Sequence, residues 1–270
     1  MSKLFICGTP IGNIKDITIH CLEILKEVDI IACEDTRQTL KLLNFYGIKK
    51  KLVSYHEHNK KIAGENILKL LNSGKNVAYV SDAGMPCISD PGADLVVFAR
   101  ENSFDVEIIP GPSAFTTAIA LSGLNTKQFV FEGFIEQKKR AEFINRIKYE
   151  KRPTIIYEAP HRLLKTLQFL SNELEDRNLF LARELTKIHE EIFYGTIDET
   201  IKFLTENPPR GEYVILIYGA KNDENFDEMS IADHVKFYLQ NNYDLKSAIK
   251  NVARDRNISK SQVYSVVHKS

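Results

Sequence analysis

The stretch VAYVSDAGMPCISDPGADLV, residues 77–96, decides the fold class. Four apolar residues come first, a loop with two aspartates, two prolines and two glycines follows, and apolar residues then return at helical spacing. This pattern is typical of a β-strand that leads into a helix within a parallel sheet. Glycines after such a strand often bind phosphate, yet this loop contains Asp82 and Asp90 and no lysine or arginine. A ligand of this loop therefore has to be one that can lie next to carboxylates.

The same alternation of strand and helix surrounds this stretch in the first half of the chain. The apolar runs predict strands over residues 4–7, 29–33, 51–55, 76–80 and 106–109. Helical spacing predicts helices over residues 16–28, 39–46, 59–72 and 115–121, with Asp16 as a cap and with Gly47, Gly74 and Gly123 at helix ends. We expect residues 1–121 to form an N-terminal α/β domain with an open, parallel sheet.

A second series of elements begins after residue 121. Strands are predicted over residues 129–134, 154–159, 179–184, 191–195 and 212–219, and helices over 138–150, 161–174 and 196–206. Thr196 and Glu199 have the spacing of a capping box. Two strands follow one another with only a short loop between them, so part of this sheet is predicted to be antiparallel. Residues 122–222 form the predicted C-terminal α/β domain, with the boundary near residues 121–127.

The last part of the chain differs in composition. Residues 221–229 are polar and acidic, which predicts a linker, and residues 230–270 predict a small helical appendage with helices over 231–239, 245–254 and 259–268. The last two resemble a helix-turn-helix, with Ser259 as a cap. Basic residues outnumber Asp244 and Asp255 here: Lys246, Lys250, Arg254, Arg256, Lys260 and Lys269. The appendage either contacts RNA or DNA or simply packs on the body of the protein.

Composition limits the possible class of protein. The 270 residues are 43% hydrophobic and 27% charged with a formal net charge of zero, as in an ordinary soluble enzyme, so any nucleic acid would bind local patches. The four cysteines lack CxxC spacing, which argues against a zinc site, and we expect reduced thiols and no bound metal. No apolar run approaches a membrane span and the start of the chain does not read as a signal peptide, so we expect a cytoplasmic protein with no membrane contact.

Unusual loops follow all five strands of the first predicted sheet: GTPIGN, EDTR, HEHN, SDAGMPCISDPG and PGPSA. Because ligands of open parallel sheets bind at the carboxyl ends of the strands, these loops predict one site. GTPIGN matches neither the GxGxxG pattern nor a P-loop, and Glu34, Asp35, Asp82 and Asp90 would repel phosphates. A ligand with ribose hydroxyls, an adenine and a positive centre suits the acids better, and S-adenosylmethionine (SAM) fits that description.

These motifs, with the later EAPHR, resemble the tetrapyrrole-methylase superfamily and within it the small-subunit ribosomal RNA (cytidine-2'-O-)-methyltransferases. The resemblance covers nearly the whole chain. Tetrapyrrole-specific members typically begin GxGPGDxxxxT, whereas this chain has GTPIGNIKDIT, which keeps Gly8, Gly12 and Thr18 but has Pro10 in place of the second glycine. That departure favours the RNA branch.

The resemblance implies a two-domain class III methyltransferase fold with SAM in the cleft between the domains, a homodimer, and 16S ribosomal RNA in the small subunit as the partner. Carried over by motif, the SAM contacts would be Pro10, Asp82, Ala83, Gly84, Ile88, Ser113, Ala114, Tyr157, Glu158, Leu185 and Gly211. We expect Asp90, Pro91 and Gly92 to start the helix that follows the fourth loop.

Methyl transfer to a ribose hydroxyl calls for a group that accepts or relays the hydroxyl proton. Among the strand-end residues we predict Asp35 or His56 as the base, with Arg37 either holding a phosphate or orienting Asp35. The alternative to a catalytic role for His56 is that His56 and His58 lie in a loop that only contacts solvent. Several basic clusters either contact RNA or are only exposed to solvent. They are Lys49–Lys51, Lys60, Lys61, Lys138–Arg140, Arg152, His161 and Arg162.

Two other functions stay open. One is a methylase of the same superfamily that acts on a tetrapyrrole or another acidic small molecule. The other is a non-catalytic RNA-binding or assembly protein that retains the cleft. The sequence does not identify the modified nucleotide.

Overall fold

The computed structural model describes residues 2–124, 127–174, 177–220, 229–240, 243–256 and 258–267. The chain divides into two compact units, residues 1–219 and residues 220–270. The first unit contains two five-stranded sheets, and the second unit is helical. The predicted boundary at residues 121–127 lies between the two sheets and partly outside the described residues, and the division of this unit into two domains stays a prediction.

The first sheet has the strand order β3-β2-β4-β1-β5, and every pairing in it is parallel. Its strands are β1 (Lys3–Cys7), β2 (Ile30–Cys33), β3 (Lys51–Ser54), β4 (Val77–Val80) and β5 (Asp105–Ile109). The helices of this half are α1 (Ile19–Glu27), α2 (Thr36–Phe45), α3 (Lys60–Asn72), α4 (Gly92–Glu101) and α5 (Ala114–Ser122). The parallel arrangement brings all five strand-end loops to one edge, as the sequence predicts.

The second sheet has the order β6-β7-β10-β8-β9. Only β6 and β7 pair in parallel; the other pairings are antiparallel, which confirms the predicted mixed sheet. Its strands are β6 (Val130–Phe134), β7 (Thr154–Glu158), β8 (Asn178–Arg183), β9 (Glu191–Thr196) and β10 (Tyr213–Ile217). The helices are α6 (Arg140–Ile147), α7 (Pro160–Glu173) and α8 (Ile197–Glu206), and the Thr196–Glu199 capping box of α8 is formed.

Several predicted helix starts are wrong. Asp16 belongs to a short 3₁₀ helix, and Thr18 caps α1 instead, its hydroxyl accepting the Cys21 N–H at 3.1 Å. Helix α2 starts three residues earlier than predicted because Asp35 serves as its cap. The helix predicted from residue 138 begins as a 3₁₀ turn and becomes α-helical at Arg140. In each case a local side-chain or turn hydrogen bond, which hydrophobic spacing does not register, fixes the boundary.

Helix α5 joins the two sheets. It packs on one face of the second sheet, where Ala118 is buried in a cluster with Ile155 and Leu216. The same cluster includes Ile11 from the loop after β1 and Leu185 from the loop after β8. The strand-end edge of the first sheet and one face of the second sheet therefore share a core, and a ligand at that edge would face both.

The C-terminal unit contains α9 (Ile231–Gln240), α10 (Leu245–Asp255) and α11 (Lys260–Val267) around a core of its own that includes Val235, Val252 and Val263. Most of the predicted linker, residues 221–228, and the predicted end of the last helix at His268 lie outside the described residues. Nowhere in the described ranges does a helix have the length and apolar character needed to cross a membrane.

Candidate functional site

The loops after β1 and β4 are hydrogen-bonded to each other at the edge of the first sheet. The Thr9 N–H donates to the Gly84 carbonyl at 2.9 Å, and the Gly84 N–H donates back to the Thr9 carbonyl at 3.2 Å. The buried Thr9 hydroxyl also donates to the Ser81 carbonyl at 3.3 Å. This pair of loops is therefore fixed before any ligand arrives.

The loop after β5 presses against the same two loops. A Cβ on Gly8 would lie 2.7 Å from Gly111 Cα and 2.7 Å from the Met85 sulfur, closer than real Cβ contacts allow. The Gly111 N–H points at the Met85 sulfur at 3.0 Å. Both glycines are needed because the backbones of the first and fifth loops touch. Gly111 and Met85 were not among the predicted site residues, although both belong to quoted motifs.

Gly84 lies between the first and fifth loops. Its φ of +82° favours glycine, and a Cβ there would lie 3.2 Å from Ile11 Cγ2 and 3.4 Å from the Pro112 carbonyl oxygen. Asp82 and Ala83, just before it, remain exposed, while Pro10 is half-buried beside them. Of the predicted cofactor residues in the first and fourth loops, Asp82 and Ala83 are thus exposed, Pro10 is half-buried and Gly84 is buried. Ser113 directly precedes α5, and Ala114 is its first residue.

The second loop is attached through a carboxylate. Asp82 Oδ1 accepts the Asp35 N–H at 2.9 Å. Glu34, the preceding residue, is half-buried, and its pKa is raised by loss of water and by the charges of Asp82 and Asp90. Partial desolvation also raises the pKa of Asp82. A positively charged ligand at this edge would relieve the repulsion among these carboxylates.

Asp35 is held by Arg37. The guanidinium lies 2.7 Å from the Asp35 carboxylate, whose Oδ1 also accepts the Arg37 N–H at 2.8 Å. These hydrogen bonds lower the pKa of Asp35 to about 2. A carboxylate with so low a pKa is a weak proton acceptor, which disfavours Asp35 as the general base and favours Arg37 in its predicted orienting role. The Arg37 side chain is 86% exposed, so its outer face remains open to a phosphate.

His56 lies in the third loop and differs from its neighbour His58. The His56 ring is half-buried and its Nδ1 is buried with no hydrogen-bond partner in the described structure, whereas His58 is exposed. Asn59 fixes this loop by accepting the His56 N–H at 2.8 Å and donating to the Ser54 carbonyl at 3.2 Å. His56 therefore has a buried ring nitrogen for which no hydrogen-bond partner is found among the described residues.

Asp90 supports the start of α4. Its Oδ1 accepts the Gly92 N–H at 2.8 Å and the Tyr79 hydroxyl at 3.3 Å, and its Oδ2 accepts the Ile88 N–H at 3.3 Å. The predicted structural role at this helix start is therefore confirmed. The predicted cofactor residue Ile88 is half-buried within this turn.

The second sheet reaches the site through the loop after β8. A Cβ on Gly12 would lie 2.6 Å from the Leu185 carbonyl oxygen, and the Asn13 N–H donates to the Thr186 hydroxyl at 2.9 Å. Leu185, a predicted cofactor residue, is buried at this contact. Tyr157 is half-buried, with its ring 5.2 Å from that of Phe131. Thr186 was missed because a single polar loop residue leaves no distinctive pattern.

Two predicted cofactor residues of the second sheet have other roles in the structure. The fully buried carboxylate of Glu158 pairs with Arg162 at 2.7 Å and accepts the Thr166 hydroxyl at 2.6 Å, so this side chain does not face the site. Gly211 has a φ of +75°, and a Cβ there would lie 2.5 Å from the Glu184 carboxyl carbon. It makes room for Glu184, whose Oε1 accepts the Glu212 N–H at 2.9 Å. Only backbone contacts of these residues remain possible.

The predicted basic clusters divide into paired and free side chains. Lys60 bridges Glu57 and Asp94, Lys139 pairs with Glu136, and Arg152 pairs with Glu150. Lys50 donates to the Val28 carbonyl, and Arg140 donates to the Thr166 hydroxyl. Arg162 forms an ion pair with Glu158. Lys49, Lys51, Lys61 and Lys138 make no ion pair within the described ranges. His161 is exposed at the start of α7.

Cysteines and metal ligands add nothing to the site. All four cysteines are unpaired; Cys7, Cys21 and Cys33 are buried and Cys87 is half-buried. Among the residues that the structure describes, no group of three or more histidine, cysteine, aspartate or glutamate side chains is placed to hold a metal ion.

Comparison with known proteins identifies the family. The sequence model for Tetrapyrrole (Corrin/Porphyrin) Methylases matches residues 3–201. The chain belongs to this family. Among its relatives, the Ribosomal RNA small subunit methyltransferase I of Bacillus subtilis (strain 168) is 42% identical, covering 99% of this chain and 94% of that protein. The protein of the same name from Thermotoga maritima is 48% identical, covering 81% of this chain and 99% of its own length.

Solved structures show that this tetrapyrrole methylase has the fold of its family. The cobalt precorrin-4 methyltransferase of cobalamin biosynthesis superposes with a TM-score of 0.62 at 18% identity, covering 79% of this chain and 94% of that one. The uroporphyrin-III-C-methyltransferase from Thermus thermophilus superposes with a TM-score of 0.59 at 17% identity, covering 80% of this chain and 94% of that one. The predicted family and the predicted α/β methyltransferase fold with a helical C-terminal segment are thus confirmed.

Proposed function

We propose that this member of the tetrapyrrole methylase family is a SAM-dependent methyltransferase that methylates the ribose 2'-hydroxyl of a cytidine in 16S ribosomal RNA of the small subunit. The observation that carries the substrate class is the 42% identity over 99% of the chain to a protein named as a ribosomal RNA small subunit methyltransferase. That likeness extends through the helical C-terminal unit, which lies beyond the family match at residues 3–201. The geometry of the strand-end loops supports the cofactor class.

The site suits a cationic cofactor. Glu34 and Asp82 stand at an edge where the nearest guanidinium, that of Arg37, is already paired with Asp35. Exposed Asp82 and Ala83 would meet the polar end of SAM, and the buried side chains of Ile11 and Leu185 belong to the apolar core beneath these loops. In this proposal Pro10, Gly84, Ile88, Ser113, Ala114 and Tyr157 complete the cofactor surface, and Glu158 and Gly211 contribute backbone only. When bound, SAM supplies a methyl group on a positively charged sulfur.

The chain itself has to place the ribose hydroxyl in line with that methyl group and remove its proton. Orientation of the two reacting atoms supplies most of the rate gain. His56 is the better candidate for the base because no ion pair holds it among the described residues, whereas Asp35 is held ionised by Arg37. Arg37, with its outward guanidinium, would hold an RNA phosphate and fix the strand.

Local positive charge would supply the remaining RNA contacts. Lys49, Lys51, Lys61 and Lys138 are exposed on the first unit, and Lys246, Lys250 and Lys260 are exposed on the C-terminal helices. Arg256, in contrast, is bound to the buried His234 at 3.0 Å and is structural. Lys269, also predicted to contact nucleic acid, lies outside the described residues. Each unpaired lysine that reaches a phosphate adds salt-dependent affinity.

The deciding experiment measures transfer of a labelled methyl group from SAM to assembled small subunits, to naked 16S ribosomal RNA and to precorrin-type tetrapyrroles. We expect incorporation into the RNA, with mass mapping placing it on a cytidine ribose. Labelled tetrapyrrole in place of RNA would favour the small-molecule methylase. Absence of SAM binding in calorimetry would leave the non-catalytic RNA-binding function.

The homodimer and the cytoplasmic location belong to the same proposal. Family members of this kind are expected to act as dimers, and sedimentation of the purified chain at several concentrations tests that state. A single species with the mass of one chain at all concentrations would contradict it. Fractionation of the source cells tests the location.

A further inference from the structure

A groove runs along the free edge of the first sheet. Strand β3 is the outermost strand there, and helix α3 packs beside it. Between them lies a cavity of about 340 Å³, lined by Val53 and Ser54 of the strand and by Ile62, Ile67 and Leu70 of the helix, among others. This volume is large enough for an aliphatic or aromatic side chain from outside.

The strand offers free backbone groups along this groove. The Tyr55 N–H donates to the Cys33 carbonyl of β2 at 2.8 Å. Because backbone groups alternate along a strand, those of Val53 also face β2, and those of Leu52 and Ser54 face outward. The Asn59 side-chain amide donates a hydrogen bond to the Ser54 carbonyl at 3.2 Å. The Ser54 N–H and both backbone groups of Leu52 have no partner in the described part of the chain, so they can pair with an added strand.

The groove is apolar and open. Ile62 stands at its mouth with 71% of its surface exposed, and Val53, Ile67 and Leu70 form the walls behind it. None of the described residues that line the cavity is aromatic, so a nucleobase would have no ring to stack on there. A free strand edge beside an apolar groove is instead the geometry in which domains bind an extended peptide by strand addition.

The charge around the groove is positive. Lys51 at the start of β3 and Lys69 on α3 are exposed and make no ion pair among the described residues. Lys60 is already held between Glu57 and Asp94 and is not available. Glu65 is the acidic residue of α3, so the lysines remain in excess. The surrounding field favours a partner that carries carboxylates.

We propose that this groove binds an extended, acidic polypeptide segment. The segment pairs with the outward backbone groups of Leu52 and Ser54, and its apolar side chains enter the cavity between β3 and α3. Its carboxylates face the lysines of the rim. This interaction surface shares Lys51 with the proposed RNA contacts, but it goes beyond the proposed methyl transfer because it uses neither the acidic loop residues nor the C-terminal helices.

Titration of the full chain with a synthetic peptide of about eight residues that alternates leucine and glutamate tests the proposal. We expect binding to slow hydrogen exchange at the Leu52 and Ser54 amides. We also expect binding to be lost when the peptide amides that face β3 are N-methylated. Ile62→Glu should weaken binding about tenfold or more, whereas Ile19→Glu, at a residue that is 77% exposed on α1, should leave it unchanged.

Three results would overturn the proposal. One is absence of binding at about 1 mM peptide. Another is equal binding of a leucine–lysine peptide, or binding of a uridine oligonucleotide to the same residues in place of the peptide. The third is binding of the leucine–glutamate peptide without protection of the Leu52 and Ser54 amides. The exchange measurement and the methylated peptide use the unmodified protein, so neither depends on a variant that has to fold.

Discussion

At the scale of single residues, the pair formed by Asp35 and Arg37 predicts a pH dependence. The pKa of Asp35 is lowered to about 2, so the pair stabilises the fold above the carboxyl's unfolded pKa of about 4 and loses that effect as the pH falls to about 2. Arg37→Gln should raise the pKa of Asp35 toward its ordinary value. Carbon-13 NMR titration of the Asp35 carboxyl measures both values.

Arg152→Gln is the matched control, because Arg152 pairs with Glu150 rather than with Asp35. It should leave the Asp35 titration unchanged. A pKa near 4 for Asp35 in the unmodified protein would contradict the ion pair. If the pair is as described, His56→Gln should lower the rate of methyl transfer far more than Asp35→Asn does.

Asp82 and Asp90 lie in one loop but should respond differently to substitution. Asp82→Ala removes an exposed carboxylate that accepts one backbone N–H, so we expect weaker SAM binding, about tenfold or more, and little change in stability. Asp90→Ala removes the acceptor of the Gly92 N–H and the Tyr79 hydroxyl, so we expect a loss of about 1–3 kcal/mol in the free energy of unfolding.

Calorimetry with SAM and denaturant unfolding of the same two variants provide the comparison. Each variant is the control for the other. An Asp82→Ala protein that binds SAM as tightly as the unmodified chain would remove Asp82 from the cofactor surface.

At the scale of elements, the start of α1 gives a direct comparison between two neighbouring residues. Thr18→Ala should lower the free energy of unfolding by about 1 kcal/mol, because its hydroxyl satisfies the Cys21 N–H. Asp16→Ala should change it little, since Asp16 ends the preceding 3₁₀ turn and is exposed. Urea unfolding distinguishes the two. A larger effect from Asp16 would mean that the cap predicted from the sequence forms in solution.

The elements also show what the sequence could predict. Short apolar runs bounded by turn residues identified the strands, because buried parallel strands need them, and the parallel order then placed all five loops on one edge. The motif could not predict where the Glu158 side chain points, because a motif reports position along the chain, whereas the carboxylate turns inward to Arg162 and Thr166. The contact of Gly8 with Gly111 depends on tertiary packing, which no local pattern encodes.

At the scale of the whole molecule, the division into two units predicts separable functions. Residues 1–219 include both sheets and every predicted cofactor residue, while the C-terminal helices have a core of their own. A chain ending at residue 219 should fold, bind SAM with the affinity of the full chain and bind 16S ribosomal RNA more weakly. Its RNA affinity should also fall less steeply with salt, because the lysines of the C-terminal helices are gone.

Filter binding over a series of salt concentrations and calorimetry with SAM measure these properties. Lys246→Gln with Lys250→Gln in the full chain is the matched control for lost charge without lost helices. Unchanged RNA affinity in the shortened chain would assign RNA binding to the first unit alone.

The contact between Gly8 and Gly111 has a consequence for how the protein is made. These glycines are about one hundred residues apart in the sequence, and β1 pairs with both β4 and β5. A growing chain on the ribosome cannot complete the first sheet until β5 has emerged, so β1 and its loop wait for partners synthesised much later. We expect the nascent protein to have no affinity for its cofactor until the fifth loop has left the exit tunnel, and to reach full affinity only when the second sheet has followed it.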